Sequence, residues 1–326
     1  MADARREYFL NTLIVAALFA VPLWALMTNE PFIITLATRV AILALAAVGL
    51  NIALGLGGMV SFGHALYFGI GGYCAGILAH HAFSGTPVAF GLSGSNQMLV
   101  IWALAMVVSG AVAAVVGALS LRTSGIFFIM ITLAFAQMGF FFTLSWPAYG
   151  GEDGLPIFVR NQFPGVNTLR PWEFFLVSFG VLVVALVLFA ALRASRFGAA
   201  LMAIRQNPDR AAAVGISPFG VKLTAFVISG MLTGLAGAMM ADLSRFVSPA
   251  MMAWTMSGEL IVIIILGGVG RLCGPVLGAA ILVGFETLFG GWTEHWKLWL
   301  GLVLLGVVLF ARGGVIGLLA GRERHG

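Results

Sequence analysis

The sequence predicts an all-α, polytopic helical membrane protein of about ten membrane segments, eight at the fewest, on three observations. Only 9% of the 326 residues are charged, 61% are hydrophobic and the mean hydropathy is +1.06, whereas a soluble domain carries about 25% charge. Apolar runs of about 20 residues, the length that crosses a bilayer as a helix, recur along nearly the whole chain. These runs lack period-two alternation and are far longer than barrel strands, and in hydrocarbon every backbone group needs an internal partner, so helices remain. No stretch is left for a separate soluble domain. Residues 1–326 form a single transmembrane domain, with 193–221 as its one long polar insertion.

The runs and their breaks place helices near 9–27, 32–55, 59–80, 97–120, 125–145, 172–192, 221–242, 257–270, 274–290 and 296–312. The first has a basic start and could pass for a signal peptide, but its run is long and no small-x-small cleavage site follows, so it reads as a retained helix. Segments eight and nine are short, and could together form a hairpin that does not fully cross. Arg5 and Arg6 set the N-terminus inside, because basic loops stay cytoplasmic. Ten crossings then bring Arg122, the 193–221 loop, Arg271 and the tail with Arg312, Arg322 and Arg324 to the same side. Arg160, Arg170, Arg245 and Lys297 fall outside, with acids nearby in Glu152 and Asp153, Glu173, Asp242 and Glu294 respectively.

Several chemistries are excluded. The only lysines, Lys222 and Lys297, sit in no Gly-x-x-x-x-Gly-Lys-Ser/Thr setting, so the chain has no P-loop for ATP. Nor is there an H-E-x-x-H, a G-x-S-x-G or a carboxylate–histidine cluster at helical spacing. Cys74 and Cys273 lie in apolar segments without metal-ligand spacing, which argues against a disulfide framework or metal site. The net charge of +5 is spread over loops and tails and forms no basic, aromatic-interleaved run for nucleic acid. His80 and His81 are the only hint of a membrane enzyme, and adjacent helical positions face different sides.

The stretch GLGGMVSFGHALYFGIGGYCAG, Gly55 to Gly76, gathers glycines around Ser61, His64 and Tyr67. Its Gly72 and Gly76 make a small-xxx-small pair suited to close helix packing. Clustered breakers can instead unwind a helix and free backbone groups for a polar solute, with Gly58, Ser61, Gly63, His64 and Tyr67 along that path. A second Gly-rich interruption runs from Gly267 to Gly278, and paired interruptions in two halves can mark a translocation site. Thr132 and Gln137 are the polar positions on the helix near 125–145. Five residues place them about 140° apart, so one straight face cannot carry both. Gln137 could line a path or bond a neighbouring helix. Charge within the segments is confined mainly to Arg39, Glu259 and Glu286, which argues against ion-coupled transport.

The insertion RASRFGAALMAIRQNPDRAAAVGISPFGV resolves into two short helices. Phe197, Leu201 and Ile204 share one face of the first. Asn207 caps the second, Pro208 occupies its first turn, and Asp209 favours its positive end. Gly215 supplies the stop and Pro218 prevents continuation. Such helices could rest on lipid headgroups or insert into a partner's groove. On the other side, the Gly- and Pro-rich loop Trp146 to Pro171 is either a simple connector or a contact surface.

At these blocks the chain resembles the inner-membrane permeases of branched-chain amino-acid ABC importers, of the LivM type. GLGGMVSFGHALYFGIGGY is similar to that family's Gly-rich second block, and GIFFIMITLAFAQM with YGGEDGL to its central blocks. SRFGAALMAIRQNPDRAAAVGI through KLTAFVISGMLTGLAGAM is similar to its coupling region, and LGGVGRLCGPVLGAAIL to its C-terminal Gly-rich block. The matches run in order over about residues 40–285.

The resemblance implies a permease domain over 1–326, in a bacterial inner membrane with both termini cytoplasmic. It implies four kinds of partner: a homologous second permease of the LivH type, two ATP-binding subunits, a periplasmic or lipid-anchored substrate-binding protein, and membrane lipid. ATP and Mg would belong to the ATPase partners, and this chain would hold no cofactor. Arg196, Arg205, Asp209, Ala211, Ala212 and Gly215 would engage the ATPases, the last four as a degenerate Glu-Ala-Ala-x-x-x-Gly motif. Gly150, Gly151, Gly154 and Leu155 would dock the binding protein. Gln137 stands where many relatives carry Glu, and Asp209 replaces the motif's Glu. A secondary carrier or facilitative channel working without ATPases is the alternative.

Overall fold

The computed structural model describes residues 2–87, 94–291, 295–311 and 313–320. Glu294, Arg312, Arg322 and Arg324 lie outside the described residues, as does the side chain of Arg5. The helices are α1 (Ala2–Met27), α2 (Pro31–Asn51), α3 (His64–Ser84), α4 (Met98–Ser120), α5 (Ile126–Leu144), α6 (Pro171–Ala194) and α7 (Arg196–Gln206). They continue as α8 (Pro208–Ala213), α9 (Pro218–Ser244), α10 (Trp254–Gly267), α11 (Gly274–Gly290), α12 (Trp296–Phe310) and α13 (Gly314–Ala320). Each of the ten apolar runs has a counterpart. The helix-forming start ADARREY extends α1 well before residue 9, as its composition favours. One short helix, α13, lies beyond the expected set.

Among the described residues, seven helical stretches are long and apolar enough to cross a membrane, and the chain is a multi-pass helical membrane protein. Of the other three, α3 has 21 residues, while α10 and α11 have 14 and 17. At 1.5 Å per residue the last two fall short of the roughly 30 Å hydrocarbon layer, in line with a shallow hairpin. The third helix begins at His64, not near 59. A π-helical turn, Ile52–Leu56, extends α2, and Gly57–Gly63 is then non-helical, because three glycines in seven residues weaken the ladder.

The core forms where α9 packs on α2, α3 and α4. Glycine sets the separation: a Cβ on Gly71 would overlap the Gly234 carbonyl, and one on Gly237 the Phe68 carbonyl. This is small-residue packing, but its register differs from the expected Gly72/Gly76 pair. Gly72 instead meets Met251, while Gly76 meets Val247 and Leu155. Helices α5 and α12 lie at the periphery, and Phe127, Met138, Phe141, Leu302 and Phe310 are exposed on them.

The helix ends gather at two poles. At one, the loop after α5 folds into 3₁₀ turns (Pro147–Tyr149, Gly151–Asp153) and strand β1 (Leu155–Pro156), which pairs antiparallel with β2 (Phe246–Val247) beyond α9. At the other lie α7, α8 and both Gly-rich interruptions. Arg39 pairs with Glu286 at 2.8 Å and Lys297 with Glu259 at 3.7 Å. Arg170 meets Glu173 at 3.1 Å, as its sequence neighbourhood suggests.

Candidate functional site

An interrupted helix inside a membrane protein leaves backbone groups without their ladder partners, and each must find another. The Gly57–Gly63 break does so through side chains. Ser257 of α10 donates to the Phe62 carbonyl at 2.6 Å and accepts from the Ala65 amide at 2.8 Å. Thr132 of α5 accepts from the Phe62 amide at 3.3 Å, and Ser61 from the Gly63 amide at 3.1 Å. Gly58 has φ +67°, a conformation glycine adopts without a Cβ penalty.

The two interruptions are in contact. The Cα of Gly270 packs against Gly55, where a Cβ would stand 2.8 Å from it. Asn51, one turn earlier on α2, is buried, accepts from the Gly270 amide at 2.9 Å and donates to the Arg271 carbonyl at 3.0 Å.

His64, buried at the start of α3, lies 2.7 Å from the Ser229 hydroxyl. That hydroxyl gives its one proton to the Gly49 carbonyl at 2.6 Å. His64 must therefore donate from Nε2, which leaves Nδ1 as an acceptor, and that atom is buried without a hydrogen-bond partner among the described residues. Tyr67 is buried edge-on between His64 and Phe226. Gly58 is exposed, Ser61, Gly63 and Thr132 are buried, and Gln137 is half-buried without a hydrogen bond among the described residues. Thr132 and Gln137 thus occupy different surroundings, as their angular separation requires. The apolar groove of about 710 Å³ between α4, α6 and α9 is lined by Trp102, Val181, Leu235 and similar residues, not by these side chains.

At the same pole, Ser195 caps α7 by accepting from the Gly198 amide at 3.2 Å, and Asn207 caps α8 by accepting from the Arg210 amide at 3.0 Å. Gly215 closes α8 with φ +88°. Leu201 and Ile204 are buried beneath α7, with Phe197 partly so. Arg196, Asp209, Ala212 and Gly215 are exposed, whereas Ala211 faces inward. Arg205 is exposed as well, yet its Nη1 donates to the Gly55 carbonyl. Val214, 76% exposed beside Gly215, is the apolar tip of the loop.

At the opposite pole Gly150, Gly151 and Gly154 all have positive φ. Gly151 and Gly154 are buried, Leu155 is buried in the β1–β2 pair, and Glu152 and Asp153 are the exposed groups of this turn. Asn161 donates to Asp242, buried near the end of α9, at 2.5 Å. Arg160 lies over the Phe174 ring at 4.4 Å. Burial, with Arg245 nearby, lowers the Arg160 pKa from its ordinary value, against the pull of Asp242. His81 bonds Tyr149 at 3.0 Å and Thr86 at 2.8 Å, so it serves as a loop tether.

Sequence reasoning missed Asn51, Ser229 and Ser257. Asn51 carried a readable signal, a lone amide in an apolar run directly before a glycine cluster. The two serines carried none.

The family model described as branched-chain amino acid transport system, permease component, matches residues 32–312. The high-affinity branched-chain amino acid transport system permease protein LivM of Salmonella typhimurium is 27% identical over 97% of this chain and 76% of its own length. The protein of the same description from Escherichia coli is 27% identical over 92% of this chain and 74% of its own. A probable branched-chain amino acid transport permease protein LivH from Methanocaldococcus jannaschii is 29% identical over 44% of this chain and 48% of its own. No solved structure matches the chain.

Proposed function

The chain belongs to the permease component family of branched-chain amino acid transport systems, and from that premise we propose that it is the membrane-spanning permease of an ABC importer. It moves branched-chain amino acids, or a related small polar solute such as another amino acid, urea or an amide, across the bacterial inner membrane. It pairs with a homologous second permease of the LivH type. Two partner ATPases hydrolyse ATP with Mg, and a periplasmic or lipid-anchored binding protein delivers the solute. Both termini and the α7–α8 loop face the cytoplasm. The binding protein meets the outer turn at Gly150–Leu155 through its exposed acids Glu152 and Asp153.

The observation that carries the coupling role is the α8 tip, where exposed Val214, Ala212 and Asp209 stand proud of a capped, anchored helix pair. An apolar tip ringed by polar groups suits insertion into a partner's groove. Solute passes between the two permeases beside the Gly57–Gly63 break and the Gln137 side of α5.

Reconstitution with both ATPases, the second permease and the binding protein tests this. ATP-dependent uptake that Val214→Asp abolishes is the expected result. Uptake by this chain alone in liposomes, without ATPases, would instead establish a carrier or channel. A calorimetric screen of the binding protein against leucine, urea and phenylalanine identifies the solute class.

A further inference from the structure

We propose that Arg205 is a positioning residue rather than an ATPase contact: it ties the α7–α8 loop to the interrupted end of α2, and Asn51 carries the same displacement on to the α10–α11 turn. This rests on the permease reading above.

The Gly55 carbonyl explains why an arginine is needed. In the π turn the ladder slips: the Gly57 amide bonds Ile52, that of Gly58 bonds Leu54, and that of Met59 bonds Ala53. None of these donors is left for Gly55, so its carbonyl needs one from elsewhere, as helix ends and π turns commonly do. Arg205 supplies it from 150 residues away. The stem of the same side chain lies over Gly58, where a Cβ would come within 2.9 Å of Arg205 Cγ, so the glycine makes room for the arginine. Leu201 of α7 reaches Gly57 in the same way. A shift of α7 must therefore move the end of α2 or break the Arg205 bond.

The displacement does not stop at Gly55. One turn earlier, Asn51 holds the amide and carbonyl of adjacent residues, Gly270 and Arg271, while Gly55 packs directly on Gly270. The linkage runs in series: loop, Arg205, Gly55, then Asn51 with Gly270.

The test uses the complete importer, with its second permease, ATPases and binding protein, and reads ATP hydrolysis, uptake and melting temperature together. Arg205→Ala is expected to co-purify with the ATPases in wild-type ratio and to hydrolyse ATP within about twofold of wild type, while uptake per ATP falls about tenfold, the scale of one charged hydrogen bond. Arg205→Lys keeps a donor and restores most of the ratio. Arg205→Ala combined with Asn51→Asp uncouples no further than the worse single change, because links in series are non-additive. Loss of ATPase co-purification in Arg205→Ala alone would make it a partner contact and overturn the proposal. So would an unchanged uptake-to-ATP ratio, or hydrolysis and uptake falling in parallel with the melting temperature. If wild type recruits no ATPase, the permease reading itself fails, and this inference with it.

Discussion

The two Gly-rich interruptions look alike in composition, yet they lean on distant side chains to different degrees. Beside their own backbone bonds, the Gly57–Gly63 break and the π turn before it take three side chains from distant parts of the chain: Thr132 of α5, Arg205 of α7 and Ser257 of α10. The Gly267–Gly274 turn closes largely on its own backbone: the Gly268 amide bonds Ile264 at 2.8 Å, and that of Leu277 bonds Cys273 at 3.1 Å. A Cβ on Gly267 would overlap the Gly274 carbonyl, and one on Gly278 the Ile263 carbonyl. The first break therefore takes its shape from the positions of other elements. The second is a hairpin whose helices meet backbone to backbone and whose turn is pinned to α2 by the single side chain of Asn51, so that α2 can push it as a unit.

That contrast can be broken by substitution. The largest effect is expected for Gly278→Leu, which forces α10 and α11 apart and costs about 3 kcal/mol. Thermal melting in detergent checks it, and a wild-type melt would mean the second turn is not held by backbone contact. Next comes Ser257→Ala, which strands the Phe62 carbonyl and the Ala65 amide together, at roughly 2–3 kcal/mol for the pair. Amide exchange should rise at Ala65 while Gly268 stays protected; exchange rising equally at both would merge the two breaks into one unit. A smaller loss of about 1 kcal/mol follows Thr132→Val, which keeps the shape and removes one acceptor. Its melting curve should shift by less than that of Ser257→Ala, and the reverse order would reassign the main clasp to α5. A comparable loss, about 1 kcal/mol, is expected of Gly215→Ala, outside both breaks, where no atom crowds the site and only the left-handed conformation costs free energy. It should lower uptake more than it lowers the melting temperature, measured on one preparation.

Much of this was legible in the chain, for reasons that differ by region. The ten helices follow from uninterrupted apolar runs, and the α7–α8 pair from Ser, Asn, Pro and Gly at cap positions, because these signals are local. Where α3 begins was misjudged by about five residues, since Val60 and Phe62 are as apolar as a helix interior and only tertiary bonds from Ser257 and Thr132 make an irregular path there affordable. The charge of Arg205 in a polar loop points to a partner, and the residue is exposed; its second tie, to a carbonyl 150 residues away, is one that no local pattern encodes. Leu155, which the loop's composition places on a docking surface, is buried through its pairing with Val247, a contact no local pattern encodes.

The short β1–β2 ladder has a practical consequence of a different kind. Pro156 and Phe246 are register partners and both are exposed. Opposed residues in an antiparallel pair lie about 4.5–5.5 Å apart at Cα, inside the span a disulfide bridges. Cysteines placed there by Pro156→Cys and Phe246→Cys would let an oxidant staple the loop after α5 to the far end of α9, and a reductant release it. Redox reagents added to one side of a sealed vesicle would then turn this contact on and off without touching either interruption.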